Sequence, residues 1–264
     1  MAAAKPIMSR FSNLEFEGSG ERLPTRPERE QDDLRVLHEA RLAFENAEFE
    51  SALRLCSKAI EFNPHGATAW AGQVRALIEL GEYSEASLWA DKALERFPGE
   101  SEILAAKGVA LARLGQFDEA LALSDISVQQ SGDTPYVWLA RGDVLLARQE
   151  SVADFCFDKA LMLEAGNWVP RWLAARIRAF YRQFAVALKL VQQALELRAD
   201  HPILWMLAGQ CQRELGLLAA AKNSFAQALQ LDPSCHQARH SLTAMDGTGV
   251  GTRLAGWWRR QFRR

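Results

Sequence analysis

Small residues return along this chain at an almost constant spacing, and that return limits the fold more tightly than any other feature. Ala52, Ala86, Ala120, Ala153, Ala187 and Ala221 are separated by 34, 34, 33, 34 and 34 residues, and Ala59, Ala93, Ser127, Ala160, Ala194 and Ala228 repeat the same steps seven residues later. Helix-forming residues fill the intervals. A period of this length built from helical segments predicts stacked helical hairpins, each of which buries its apolar face only against its neighbours. Small residues in mid-helix let two backbones approach, and large apolar residues one turn away fill the remaining space. Glycine supplies the left-handed conformation that closes a hairpin, and proline ends its second helix.

Two stretches show the unit most fully. Pro202 to Cys235 carries Trp205, Ala208-Gly209, Gly216, Leu218, Ala221, Phe225, Ala228-Leu229 and Pro233, and Ala67 to Glu100 carries Trp70, Leu77, Gly81, Tyr83, Ala86, Ala93-Leu94 and Pro98. Ser101 to Thr134 keeps Gly108, Leu111, Gly115, Phe117 and Ala120, and Asp33 to Gly66 keeps Ala40, Phe49, Ala52, Ala59 and Pro64. The pattern resembles the tetratricopeptide repeat (TPR) family over roughly residues 33 to 245. That resemblance implies an all-α, right-handed superhelical solenoid of about six helix-turn-helix units plus a C-terminal capping helix. It also implies protein–protein recognition without catalysis. Residues 1–32 read as a flexible lead, 33–245 as the array, and 246–264 as a glycine-rich linker and basic aromatic tail. Trp70, Trp138 and Trp205 read as core wedges, since aromatic side chains at a repeating position dominate such interfaces.

Two repeats depart from the pattern. From Trp138 to Ala153 there is one residue fewer than from Trp70 to Ala86, so the turn of the fourth repeat has lost one residue and its glycine, and Gln149-Glu150-Ser151 must close that hairpin differently. In the fifth repeat two registers compete. If Trp172 matches Trp138, the turn at Arg182-Gln183-Phe184 is short and the preceding connector is one residue longer; if Ala175 takes the small position, Trp172 turns toward the inner surface. Either register predicts altered geometry around repeats four and five.

In TPR proteins the first helix of each repeat lines a concave groove, and helical periodicity selects the side chains that face it. Those positions hold Leu37, Arg41, Arg75, Ala105, Val109 and Arg113 in the first three repeats, then Leu139, Asp143, Leu146, Leu173, Phe180, Met206 and Gln210. Arginines in the first half and apolar groups in the second suit a client polypeptide with an acidic part and a hydrophobic part. The competing reading pairs the arginines with neighbouring glutamates or leaves them solvated. The lysine–asparagine clamp of chaperone-binding TPR proteins has no counterpart here, because Leu37, Arg41, Gly72, Glu102 and Ala106 occupy its positions.

Net charge is −2, yet residues 246–264 contain five arginines and one aspartate, which leaves −6 on residues 1–245. Asp246 to Gly251 lacks the lysine and preceding strand of a phosphate loop. In the following segment Leu254, Trp257, Trp258 and Phe262 would share one side of a helix, flanked by Arg253, Arg259, Arg260, Arg263 and Arg264. Tryptophan at headgroup depth plus arginines worth about 1 kcal/mol each near an anionic leaflet suits reversible attachment to a membrane surface. Docking onto another protein is the rival. Phe11, Leu14 and Phe16 form a second apolar motif suited to docking on the repeats or a partner. An acidic array argues against nucleic acid, as does the lack of basic or aromatic residues at fixed inner positions of every repeat.

No stretch of about 18 apolar residues is present and the N-terminus lacks the order of a secretory signal, which points to the cytoplasm, with a peripheral membrane position if the tail holds lipid. Cys56, Cys156, Cys211 and Cys235 form no C-x-x-C pair and read as reduced thiols. His236 and His240 beside Cys235 have zinc-compatible spacing, but the segment reads more simply as a polar capping helix. No cofactor, metal or catalytic motif is expected. The resulting picture is a scaffold, adaptor or assembly factor; the alternative is a regulatory subunit that docks through its tail.

Overall fold

The computed structural model describes residues 26–130 and 133–245. Twelve α-helices are followed by a helical segment over residues 236–245, and no strand occurs among the described residues. They divide into two compact units, residues 1–160 and 161–264, with the division falling inside one helix. The first unit contains α1 (Arg26–Glu45), α2 (Phe49–Phe62), α3 (Ala67–Glu79), α4 (Tyr83–Arg96), α5 (Ser101–Arg113), α6 (Phe117–Gln129), α7 (Pro135–Ala147) and most of α8 (Ala153–Leu163). The second contains α9 (Trp168–Phe180), α10 (Phe184–Leu197), α11 (Pro202–Glu214) and α12 (Leu218–Leu231). This is an all-α helical-repeat solenoid.

The sequence period is a burial period. All twelve residues of the two small series are at most 1% exposed, from Ala52 and Ala59 to Ala221 and Ala228. Each sits where the second helix of a hairpin crosses a neighbour, and only a short side chain leaves room for that contact. The same closeness fixes Gly209 and Gly142: a Cβ there would come within 2.6 Å of the Phe225 ring and 2.8 Å of the Phe157 ring, respectively.

Every hairpin closes in the same way. Ala47, Gly81, Gly115, Gln149, Arg182 and Gly216 all have φ between 58° and 82°, so the left-handed residue recurs even where glycine does not. The N–H of that residue and of the next donate back to the end of the preceding helix, as Gly81 to Ile78 and Glu82 to Leu77 show. Gln149 and Glu150 make the same pair of bonds to Leu146 and Leu145. The fourth turn is therefore not closed differently, contrary to the sequence expectation. The missing residue comes out of α8: the Ala153 N–H donates to the carbonyl of Glu150, three residues back, whereas Ala86, Ala120, Ala187 and Ala221 donate four residues back. Helix α8 has lost its first turn.

The fifth repeat takes the register with Ala175 at the small position. Helix α9 starts 33 residues after α7, its turn at Arg182 is of normal length, and Trp172 falls at the place of Leu139. Helix α1 is already helical at Arg26, the first described residue and earlier than the sequence boundary. At the other end Ala238 packs with Phe225, Leu242 and Met245, which seals the last repeat with residues 236–245.

The three tryptophans tie down connectors. The Trp70 indole N–H donates to the Pro64 carbonyl at 3.2 Å, Trp205 to the Ala199 carbonyl at 2.8 Å, and Trp138 to the Asp133 carboxylate. Trp70 is buried, while Trp138 and Trp205 are only half-buried.

Candidate functional site: the first-helix faces

Within the first unit the first helices of successive hairpins touch one another directly, α1 with α3, α3 with α5 and α5 with α7; in the second unit α9 touches α11. Side chains facing the same way from these helices therefore form one row per unit. The two rows are chemically unlike.

In the first unit the row is knitted together by its own charges. The Arg113 guanidinium donates to both carboxylate oxygens of Asp143, at 3.2 and 2.6 Å, with the two side chains only 6% and 3% exposed. Arg75 lies between the rings of Phe44 and Tyr136, 5.2 and 4.0 Å from their centroids, and its guanidinium is 3.5 Å from Glu102. The guanidinium is thus partnered by two rings and a carboxylate, although its buried Nε–H has no hydrogen-bond acceptor. Burial pushes the Tyr136 hydroxyl pKa up, against the opposing charge of Arg75, so the phenol stays protonated. Arg75 and Arg113 thus do not offer bare guanidinium groups to an acidic ligand, a correction to the reading of the arginines as ligand clamps. Arg41 does face solvent, bonded to His38 at 3.2 Å and 4.0 Å from Glu45. Leu37 beside it is half-buried.

Several inner positions are buried. Val109, Leu139, Leu146, Ala105 and Asp143 are all below 9% exposure, so the floor of this row is made of packed side chains. The row's accessible chemistry lies at its edge, in Leu37 and Arg41.

The second unit has a different row. Trp172 is buried at the inner position, with the Arg176 guanidinium 5.4 Å from its ring centroid. Phe180 is half exposed and meets Tyr181 edge-on at 5.1 Å, Met206 is buried, and Gln210 is half-buried. Leu173 is a correction: it points into the core at the place of Ala140, and Trp172 holds the inner position assigned to it from sequence. The 33-residue step is what shifts the register by one. Phe44, Glu102 and Tyr136 were missed as site residues, although the same 3.6-residue periodicity places each of them on this face; Trp172 turns inward as the register with Ala175 at the small position expects.

The thiols take no part. Burial pushes Cys56 up to about 12 and Cys211 up to about 11, and raises Cys156 as well, which keeps all three protonated. Among the described residues no group of three or more His, Cys, Asp or Glu is placed to hold a metal ion, and no helix is long and apolar enough to cross a membrane. Phe11, Leu14, Phe16 and the tail residues Arg253 to Arg264 lie outside the described residues.

Two family models described as tetratricopeptide repeat match residues 43–107 and 173–234. The chain belongs to the TPR family. Among solved structures, TTC0263, a thermophilic TPR protein of Thermus thermophilus, aligns over 69% of this chain and 99% of its own with 20% identity and a TM-score of 0.53. Yeast Tom70 aligns over 86% of this chain with 18% identity and a TM-score of 0.57; this TPR chain spans about half of it, 48%. A search of curated proteins returned no match. At such identities the likeness is one of fold.

Proposed function

We propose that this TPR protein is a non-catalytic scaffold that holds a client polypeptide against the first-helix faces of its repeats. The observation that carries the reading is the direct stacking of first helix on first helix within each unit, which turns isolated side chains into continuous rows. Repeat stacks of this kind serve generally as protein-interaction scaffolds. Because Arg75 and Arg113 are engaged internally, the client's charge is read by Arg41 at the edge of the first row, and its apolar part by the exposed Phe180 in the second. A preorganised floor lowers the ordering cost of binding an extended or helical segment.

The test is affinity capture with wild type and an Arg41→Glu/Phe180→Glu double variant, both side chains being exposed and therefore replaceable without unfolding. Loss of a specific client from the double variant supports the reading; undiminished capture contradicts it. The arginine–tryptophan tail is proposed to attach the scaffold reversibly to an anionic membrane surface. Co-sedimentation of the full chain and of a chain ending at Asp246 with anionic vesicles tests this, with binding expected only for the full chain. Equal binding by both removes the membrane from the function.

A further inference from the structure

The hairpin turns of the second unit carry side chains unlike those of the first. In the sixth turn Leu215, Leu217 and Leu218 are 39%, 50% and 56% exposed, and Val186, just past the fifth turn, is 44% exposed. The residue that follows the left-handed one is Glu48, Glu82, Gln116, Glu150 or Gln183 in the other five hairpins and Leu217 only here. A glutamate at that place complements the positive end of the helix it precedes, whereas a leucine gives the helix nothing and leaves half its surface in water. Helices α9 and α11 touch and run the same way, so the fifth and sixth turns are neighbours at one end of the unit.

The field around these turns is positive. Residues 176–189, spanning the fifth turn, hold four basic side chains and no acidic one. Residues 210–223, spanning the sixth, hold two basic and one acidic, Glu214, which is paired with Arg213 at 3.2 Å. The matching stretches of the first unit, 41–54, 75–88, 109–122 and 143–155, each hold more acidic than basic side chains. Helices α2, α4, α6 and α8 have an acidic residue in the first turn and α10 and α12 have none, so two helix N-termini add uncompensated partial positive charge at this edge. Apolar exposure alone does not set the edge apart. In the third turn Leu114 and Phe117 are also about two-fifths exposed, but Asp118 and Glu119 follow them.

We infer that the turn edge of the second unit contacts an anionic lipid bilayer. Leu215, Leu217 and Leu218 enter the boundary between headgroups and acyl chains, and Arg182, Arg213 and Lys222 lie among the headgroup phosphates. A bilayer is anionic outside and apolar within, the complement of apolar turn tips in a cationic field. Headgroups part around projecting side chains, whereas a polypeptide client needs a groove to fill. The inference rests on the tail reading, because leucines half shielded by the fold are too small an anchor alone and stable attachment takes two signals. The tail supplies one signal; this edge supplies the second and fixes which end of the unit meets the membrane.

The experiment uses the full chain and vesicles of phosphatidylcholine with phosphatidylserine. The double variant Leu215→Asn/Leu217→Glu installs the residues that the first turn carries at these positions, Asn46 and Glu48, so the hairpin keeps its fold. It is expected to bind the vesicles about tenfold more weakly than wild type in co-sedimentation. Leu114→Asn, at the place of Leu215 in the third turn, is the control and is expected to bind unchanged. A photoreactive amino acid at Leu217 is expected to form lipid adducts on the same vesicles, and one at Leu114 to form none. If the full chain binds but the double variant, with an unchanged melting profile, binds equally well, or if no lipid adduct forms at Leu217, this inference is overturned in favour of a protein partner while the tail reading stands. No binding by the full chain overturns both.

Discussion

The first-helix rows of the two units occupy equivalent places in the same kind of repeat, yet one is fastened shut by charge and the other is lined by aromatic and amide groups. In the first unit, Arg113–Asp143 and the Phe44–Arg75–Tyr136–Glu102 cluster join α1, α3, α5 and α7 through side chains alone. In the second, Trp172, Phe180, Met206 and Gln210 hold the inner positions. A charged residue on the recognition face of a repeat protein is therefore not by itself a recognition residue. It can equally be the tie between one repeat and the next.

The comparison is broken most severely at Asp143. Replacing it by alanine leaves the Arg113 guanidinium buried without that carboxylate, and the loss is expected to reach about 3–5 kcal/mol, read as a lower urea midpoint. Gln210→Ala at the matching position of the second unit is expected to change stability by about 0.5 kcal/mol or less. Comparable losses for the two would erase the distinction. Trp172→Ala tests the second row in the same way: a fully buried indole that supports an open aromatic surface is expected to cost about 3–5 kcal/mol on removal, with no rescue by salt.

Gln73 sharpens the contrast from the other side. It is 1% exposed on α3, and neither atom of its amide has a hydrogen-bond partner, where repeats five and six carry Ala174 and Ala208. Gln73→Leu is expected to stabilise the chain by about 1–3 kcal/mol, since a buried amide without partners is replaced by an apolar group of similar size. Calorimetry that shows destabilisation would place an unseen polar partner beside it. A smaller gain, about 1 kcal/mol, is expected for Gln149→Gly, which removes the cost of a side chain at φ 61°.

The smallest effect is one of pH. His201 stacks on Trp168 at 4.6 Å, and burial, followed by the charge of Arg198, lowers its pKa below the ordinary 6.5, while Asp200 opposes the shift. The unfolded chain therefore binds more protons than the folded one between that lowered value and 6.5. Stability is complete above this window and falls as pH drops through it. Urea titrations at pH 7.5 and about 5 are expected to show the decline, and His201→Leu to flatten it.

Much of this architecture was legible before the fold was in view. The twelve small residues announced the hairpin crossings because a steric requirement repeated at fixed spacing leaves a periodic trace. Charge pairing left a fainter one. Arg113 meets Asp143 and Arg148 meets Asp118, each pair 30 residues apart, one repeat less a helical turn, and that offset is meaningful only once neighbouring helices are seen side by side. Nor could spacing show whether the residue lost from the fourth repeat came from its turn or from its helix. The turn is fixed by two hydrogen bonds and a left-handed residue, whereas the first turn of a helix has donors that lack helical partners, so the helix yielded.

The central claim, that clients lie along the first-helix rows, is tested most directly by photo-crosslinking. A photoreactive amino acid is placed in turn at Leu37, Arg41, Phe180 and Gln210, and for comparison at Leu88 and Leu218 on second helices. Adducts to one client from the first four positions and none from the last two are predicted. Adducts confined to the second-helix positions, or spread evenly over all six, would contradict it.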